Sequence, residues 1–307
     1  MNKTAKQEKR AKLLSLLGDL PDLDRTIHCE KINEIIYDNY ILENLLLDLN
    51  GIELVPAYFL KPIVEKEKYP AILYNHAHGG NYELGKNELI QGRKSLQNPP
   101  YADVLAKMGI ASLCIDTWAF GDRRGRSESE LFKEMLWNGQ VLWGMMIYDS
   151  LKALDYLSSR SDIDADKIGT LGFSMGSTMA WWIAALDERI KVCIDVCCLT
   201  DFHSLVAQRA LDGHNLYYYV PGLLKHFATI DILELISPRY HLSLNGKYDK
   251  LTPIDGLYKI DAAMKRIYEE EGNPDGWKLS IYDTGHYETA YMRKEVIDFL
   301  NKYLVRS

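Results

Sequence analysis

Three residues far apart in this chain, Ser174, Asp249 and His286, each sit in a context suited to nucleophilic acyl transfer. Ser174 is the centre of Gly172-Phe173-Ser174-Met175-Gly176. The run Lys167 to Leu171 before it reads as a strand, and Ser177 to Ala185 after it reads as a helix. Strand, G-x-S-x-G, helix is the context of a nucleophile elbow, a turn so tight that the positions flanking the serine must be small. The serine then stands at a strand end with the N–H of Met175 behind it. A serine hydroxyl is a weak nucleophile until a base takes its proton and an acid orients that base. Leu242 to Asp249 reads as a strand and a loop ending in an acid, and Thr284-Gly285-His286 follows the next strand pattern. Acid and base therefore come after the serine in the order Ser, Asp, His, each just past the end of its own strand. Asp255 is a competing acid, but it falls in the helix after Pro253; Asp283 lies too near His286 in sequence to orient it well.

Acyl transfer also needs N–H donors for the oxyanion. Asn75-His76-Ala77-His78-Gly79-Gly80-Asn81 ends an early strand, where such a loop belongs. Gly80 is the expected donor beside Met175, because glycine lets backbone approach the developing charge closely. His76 and His78 could alternatively be a metal pair. The other histidines, His286 apart, show no ligand-like placement, so the expectation is a site with no metal and no cofactor, in which His78 shapes the loop or contacts substrate. Tyr82, Trp118 and Phe120 are candidate substrate-binding aromatics beside it, although aromatics at such spacing also serve as core. Arg123, Arg124 and Arg126 could meet an anionic substrate or form a solvated, ion-paired loop. Glu288 reads as an exposed helix-start residue.

The elements that must position these groups alternate between apolar β-type runs and helical patterns, which predicts a mostly parallel α/β sheet in one domain over residues 1–307. Residues 41–49 and 52–60 read as a hairpin turning at Asn50-Gly51. Pro70 to His76 and Ile110 to Asp116 read as strands, with a helix over Tyr101 to Met108. Trp137 to Arg160 reads as one long helix, and Tyr287 to Leu304 as the last. Residues 1–20 are basic, then apolar, without a cleavage site, and read as an N-terminal docking helix rather than a signal peptide. Residues 120–136 and 200–237 break the alternation at the sheet edge where ligands bind; the second reads as a small helical lid.

Hydrophobic residues make up 47% of the chain, enough for a large core, and the formal net charge is −7. An acidic chain carries no nucleic-acid footprint. No stretch is long and apolar enough to span a membrane. The cysteines Cys29, Cys114, Cys193, Cys197 and Cys198 are odd in number and mostly in an apolar run, as in reduced core thiols. The expected setting is cytoplasmic, with no nucleic-acid or membrane partner.

Asn75-His76-Ala77-His78-Gly79-Gly80, Asp116 to Asp122, Asp162 to Gly176, Asp187 to Ile190, Asn245 to Pro253 and Gly285-His286 together resemble the α/β-hydrolase superfamily, in its dienelactone-hydrolase-like and acetyl-xylan-esterase-like group. The resemblance implies an α/β-hydrolase fold, with Ser174 as nucleophile, Asp249 as acid, His286 as base, and Gly80 and Met175 as oxyanion donors. A serine stands where true dienelactone hydrolases carry cysteine, and Ser177 where a further glycine is frequent. The expected activity is a carboxylesterase on short-acyl, small-molecule esters. A serine peptidase, a thioesterase and a catalytically silent binding module are the alternatives; the oligomeric state is not legible.

Overall fold

The alternation of apolar runs and amphipathic stretches builds a nine-stranded sheet in the computed structural model, which describes residues 3–306. The strands are β1 (His28–Ile36), β2 (Tyr40–Asp48), β3 (Val55–Pro62), β4 (Tyr69–Asn75), β5 (Ala111–Ile115), β6 (Ile163–Phe173), β7 (Ile190–Val196), β8 (Tyr240–Gly246) and β9 (Trp277–Tyr282). They lie in the order β1-β2-β3-β5-β4-β6-β7-β8-β9. The first three form an antiparallel meander, β3 joins β5 antiparallel, and every pair from β5 to β9 is parallel. Parallel strands are covered on both faces, so their runs are almost continuously buried. Successive residues of β4 alternate faces. Ala71 and Leu73 belong to one hydrophobic cluster, Ile72 and Tyr74 to the other.

The helices are α1 (Lys3–Ser15), α2 (Glu88–Gln91), α3 (Tyr101–Lys107), α4 (Glu128–Trp137), α5 (Leu142–Ser159), α6 (Met175–Leu186), α7 (Phe202–Ala207), α8 (Thr229–Leu233), α9 (Ile254–Glu270) and α10 (Ala290–Leu300). Helices α5, α6 and α9 cover one face, while α3 and α10 cover the other. Helix α1 docks, as its pattern suggests: Leu13 is fully buried, and Arg10 donates to the carbonyls of Ala185 and Leu235. None of the described helices is long and apolar enough to cross a membrane.

Two local expectations change. The helix expected from Trp137 to Arg160 is α5, which starts only at Leu142, because Trp137 ends α4, Gly139 at φ +73° breaks the path between them and Gln140 bridges to Gly18. The hairpin connection is longer than Asn50-Gly51. Leu47 pairs with Val55, and the loop is closed by Asn50 Oδ1 accepting from the N–H groups of Ile52 and Glu53. A further strand, β1, precedes this hairpin.

Both irregular segments are ordered at the C-terminal edge of the sheet. Residues 120–136 bury Phe120, Leu131 and Met135 in the core and are docked by buried ions as well. Arg123 is buried, pairs with Asp149 at 2.8 Å and with Glu53 at 2.6 Å, and lays its guanidinium 4.3 Å from the centre of the Trp118 ring. Asn50 Nδ2 donates to the other Asp149 oxygen at 2.8 Å. Arg126 is exposed and paired with Glu130 and Glu134. Residues 200–237 form α7, α8 and three short 3₁₀ turns, a helical cap over the sheet edge. Removing the carboxylate of Asp149 takes from a buried guanidinium its only fully buried carboxylate partner and from Asn50 Nδ2 its acceptor. Asp149→Ala is therefore expected to lower the unfolding free energy by about 3–5 kcal/mol in urea titrations, and a loss below about 1 kcal/mol would show that Arg123 finds water instead.

Candidate active site

Ser174 is built by backbone constraint. It sits between β6 and α6 at φ 57° and ψ −119°, a conformation rare for residues with a side chain. The glycines around it allow the turn to close. A Cβ at Gly172 would run into the Gly176 carbonyl, and one at Gly176 into the Asn75 carbonyl at the end of β4. The Ser174 N–H donates to Val196 O at 2.9 Å, which ties the elbow to the neighbouring strand.

Asp249 and His286 reach the serine from the next two strands. The loop after β8 and the loop after β9 are zipped together, with Lys247 N donating to Tyr282 O at 2.8 Å and Tyr248 N to Thr284 O at 2.9 Å. Gly246 makes this approach possible, since a Cβ there would collide with the Gly285 carbonyl. His286 Nε2 lies 2.9 Å from Ser174 Oγ, and His286 Nδ1 lies 2.7 Å from Asp249 Oδ2. The second Asp249 oxygen accepts from Leu251 N at 2.9 Å, so the carboxylate is fixed from two sides and its side chain is fully buried. The ring edges of His286 rest against Phe173, with centroids 5.0 Å apart. Asp255 is elsewhere: it starts α9 and accepts from Gln208 at 2.7 Å.

The loop after β4 forms one wall. His78 O accepts from Asn81 N at 3.1 Å across Gly79 at φ 53° and Gly80 at φ 69°. Positive φ at both central residues is the signature of a type I′ turn. The donor expected at Gly80 is already engaged, because its N–H donates to His78 Nδ1 at 3.0 Å. Among the described residues, no protein acceptor meets the N–H of His78, Gly79 or Met175. His76 and His78 do not converge as a metal pair. His76 Nε2 accepts from the N–H of Thr117 at 3.2 Å and lies 3.1 Å from its hydroxyl, whereas His78 Nε2 lies 2.7 Å from Glu128. Among the described residues, Cys193, Asp195 and His241 do cluster, fully enclosed between β7 and β8, but His241 and Asp195 are bonded to each other at 2.6 Å and none of the three lines the Ser174 cavity.

That cavity is about 220 Å³ and holds Ser174 and His286 in its wall beside His78, Gly79 and Gly80. The opposite wall comes from Gly213, His214, Asn215 and Tyr217 of the cap, with Cys198 and Leu251 completing it. Of the aromatics expected here, Tyr82, Trp118 and Phe120 are not in the wall. Phe120 is fully buried and Tyr82 stacks on it at 4.8 Å, so both rings back His78 instead. Trp118 is buried under Arg123. His78 does line the cavity. The cap residues were missed because only the run Tyr217-Tyr218-Tyr219 hinted that this segment folds inward.

Two wall residues have tuned chemistry. Burial, reinforced by the charge of Asp249, pushes the Cys198 thiol up to about 12, so it stays protonated and does not compete with the serine. Burial also holds His214 below the ordinary histidine range. Its Nε2 lies 3.0 Å from Leu251 O, which can only accept, so Nδ1 keeps its lone pair. Glu288, expected to be exposed, is buried beneath the site, bonded by Arg293 at 2.7 Å and by Tyr101 at 2.5 Å.

Known proteins agree with this architecture. No family model matches the chain. A curated relative, "Putative hydrolase YtaP" of Bacillus subtilis (strain 168), is 52% identical over 297 residues, covering 97% of this chain and 99% of that protein. Among solved structures, a glucuronoyl esterase from Solibacter usitatus superposes at a TM-score of 0.73 with 14% identity, over 97% of this chain and 92% of its own. An acetyl xylan esterase from Paenibacillus sp. R4 gives a TM-score of 0.66 at 19% identity, over 99% and 95%. The strand order and these superpositions give the chain the α/β-hydrolase fold, and its 52% identity over nearly the whole of both chains places it in one family with that Bacillus hydrolase.

Proposed function

We propose that this hydrolase is a cofactor-free serine carboxylesterase acting on small esters with short acyl groups. The observation that carries the reading is the unbroken chain Ser174 Oγ, His286, Asp249, with links of 2.9 and 2.7 Å. Ser174 Oγ attacks the ester carbonyl while His286 Nε2 takes its proton. Asp249 holds the imidazole in the tautomer that presents a lone pair to the serine and stabilises the imidazolium that forms. The oxyanion is met by the Met175 N–H at the start of α6 and by a free N–H of the His78-Gly79 stretch, in place of the engaged Gly80. His286 returns the proton to the leaving alcohol, and a water activated by the same nitrogen releases the acyl group.

The esterases among the structural neighbours support ester substrates, and the cavity supports a short acyl group. A space of about 220 Å³ bounded by Tyr217, Cys198 and Leu251 admits a few carbons and no fatty chain. It is smaller than the roughly 300–1,000 Å³ usual for drug-sized ligands. Peptidase and thioesterase chemistry would use the same triad, and a panel containing an ester, a thioester and a peptide amide separates them.

Ser174→Ala is expected to lower kcat on p-nitrophenyl acetate by roughly 10⁴-fold or more and to abolish fluorophosphonate labelling, with the fold retained; turnover near the wild-type level would end the mechanism. Asp249→Asn is expected to lower kcat by roughly 10³–10⁴-fold, while Asp255→Asn stays near wild type. The reverse pattern would move the acid to Asp255. Because His76 and His78 are bonded to different partners, prolonged EDTA or phenanthroline treatment is expected to leave the rate unchanged, and a loss that zinc restores would contradict this. Along a p-nitrophenyl ester series, kcat/KM is expected to peak between acetate and butyrate. A value that keeps climbing to decanoate would mean that the cap opens into an acyl channel.

A further inference from the structure

Glu128 does not touch Ser174, His286 or Asp249, yet it joins the two walls of their cavity. It is the first residue of α4, buried, and set opposite the loop after β4. Its Oε2 lies 2.7 Å from His78 Nε2 and accepts from the Tyr82 hydroxyl at 2.9 Å. Its Oε1 accepts from the backbone N–H of Tyr217, in the cap, at 3.0 Å. The Asn215 amide nitrogen lies 2.6 Å from His78 Nε2 and 3.2 Å from Nδ1, spanning both ring nitrogens. The His78 ring is also held by packing, stacked on Tyr217 at 5.5 Å and edge-on to Phe120 at 5.0 Å.

The contacts to Glu128 and to the Gly80 N–H select one tautomer for His78; the Asn215 amide nitrogen, which faces both ring nitrogens, does not. A carboxylate accepts and does not donate, so Nε2 carries the proton toward Glu128. Nδ1 then has a lone pair, and it receives the Gly80 N–H at 3.0 Å. A proton on Nδ1 would face that N–H and break the bond. Burial pushes the Glu128 carboxyl up, but bonds from His78, Tyr217 and Tyr82 outweigh it and hold the group below its ordinary range, so it is the anion that this arrangement requires. Fixing the Gly80 N–H on the ring fixes the turn over 78–81, and the N–H groups of His78 and Gly79 remain free at the cavity wall.

We propose that Glu128 is a positioning residue: through the His78 tautomer it holds the 78–81 turn with its free N–H groups ready for the oxyanion, and through Tyr217 it sets the cap against that turn. This rests on the serine-esterase reading above. It is a second carboxylate–imidazole pair in the site, aimed at the oxyanion loop rather than at the nucleophile. Glutamine cannot replace it. Three donors, from His78, Tyr82 and Tyr217, converge on the carboxylate, and an amide offers one acceptor oxygen and turns its NH₂ on a donor.

The test begins with the full-length wild-type chain. If Ser174 is not labelled by a fluorophosphonate and p-nitrophenyl acetate is not hydrolysed, the esterase reading fails, whatever Glu128 does. Given an active wild type, Glu128→Gln is expected to lower kcat on p-nitrophenyl acetate roughly tenfold or more, with KM within about twofold. Affinity for a trifluoromethyl ketone that adds to Ser174 as a tetrahedral oxyanion is expected to fall by the same factor as kcat/KM, while inhibition by the ground-state analogue acetamide does not change. Merely loosened structure would move ground-state and oxyanion binding together. A Glu128→Gln protein with wild-type unfolding temperature, kcat and ketone affinity overturns the proposal. If that variant does not fold, His78→Ala, which leaves Glu128 its other two donors, must show the same loss confined to kcat and ketone affinity; unchanged values there overturn it equally.

Discussion

The close approach of helix α6 to strand β4 at the elbow is the constraint from which the rest of the site follows. Ser174 is held at positive φ because β6 must turn into α6 with no intervening loop, and that path exists only while Gly172 and Gly176 carry no side chain. The strain is local, and it is sustained by the buried end of β6 on one side and the buried α6 on the other. Once the elbow is fixed, the free N–H at the start of α6 and the hydroxyl share one edge of the sheet. Every other functional group then has to come from loops at that same edge, and parallel strands deliver it: β4 brings the turn over 78–81, β8 brings Asp249 and β9 brings His286.

The parts of this design carried by local rules were readable in the chain. Ser174, Asp249 and His286 each follow a strand whose apolar pattern is unambiguous, so their convergence needed only the parallel topology. The N-terminal helix and the β2–β3 hairpin were visible for the same reason. What tertiary packing decides was not. Trp118 and Phe120 leave a strand end, where a ring can face the cavity or the core with equal local cost, and Arg123 and His78 drew them inward. Gly80 has the right residue type for an oxyanion donor, but whether its N–H is free depends on a side chain two residues back. The cap residues His214, Asn215 and Tyr217 sit in a segment without periodicity, whose path is set by contacts to α4 and the β4 loop. Glu288 read as a solvent-facing helix start, and only the approach of Arg293 and Tyr101 makes its burial tolerable.

In the first irregular segment, directed charge contacts are added to the apolar contacts of Phe120, Leu131 and Met135. Between Asp116 and Glu128, the chain plants a series of buried ionic contacts. Lys86 is fully enclosed and pairs with Asp116 at 2.8 Å and Asp122 at 2.6 Å, Arg123 reaches Asp149, and Glu128 reaches His78. Apolar packing would have been at least as stabilising, since desolvating such pairs offsets most of their attraction. It would also have tolerated sliding. An ion pair with directed hydrogen bonds has one good geometry, and a shift of an ångström leaves a buried charge unmatched. A loop that must hold backbone N–H groups against a serine hydroxyl to within a fraction of an ångström gains from that intolerance.

The cavity wall is divided between two halves that are held in different ways. The β4 side is pinned from both directions. Buried Glu88 accepts the Ala77 N–H at 3.2 Å, and Glu128 holds His78. The cap side joins the site through short 3₁₀ turns, the Tyr217 N–H on Glu128, His214 on Leu251 O, and the packing of Tyr217 on His78 and Trp143. In the proposed mechanism, oxyanion stabilisation rewards groups that need not reorganise as charge develops, and the N–H groups assigned to it lie on the pinned half. Glu128 is the point at which the two halves meet, so a displacement of the cap at Tyr217 is felt at the turn that faces the serine.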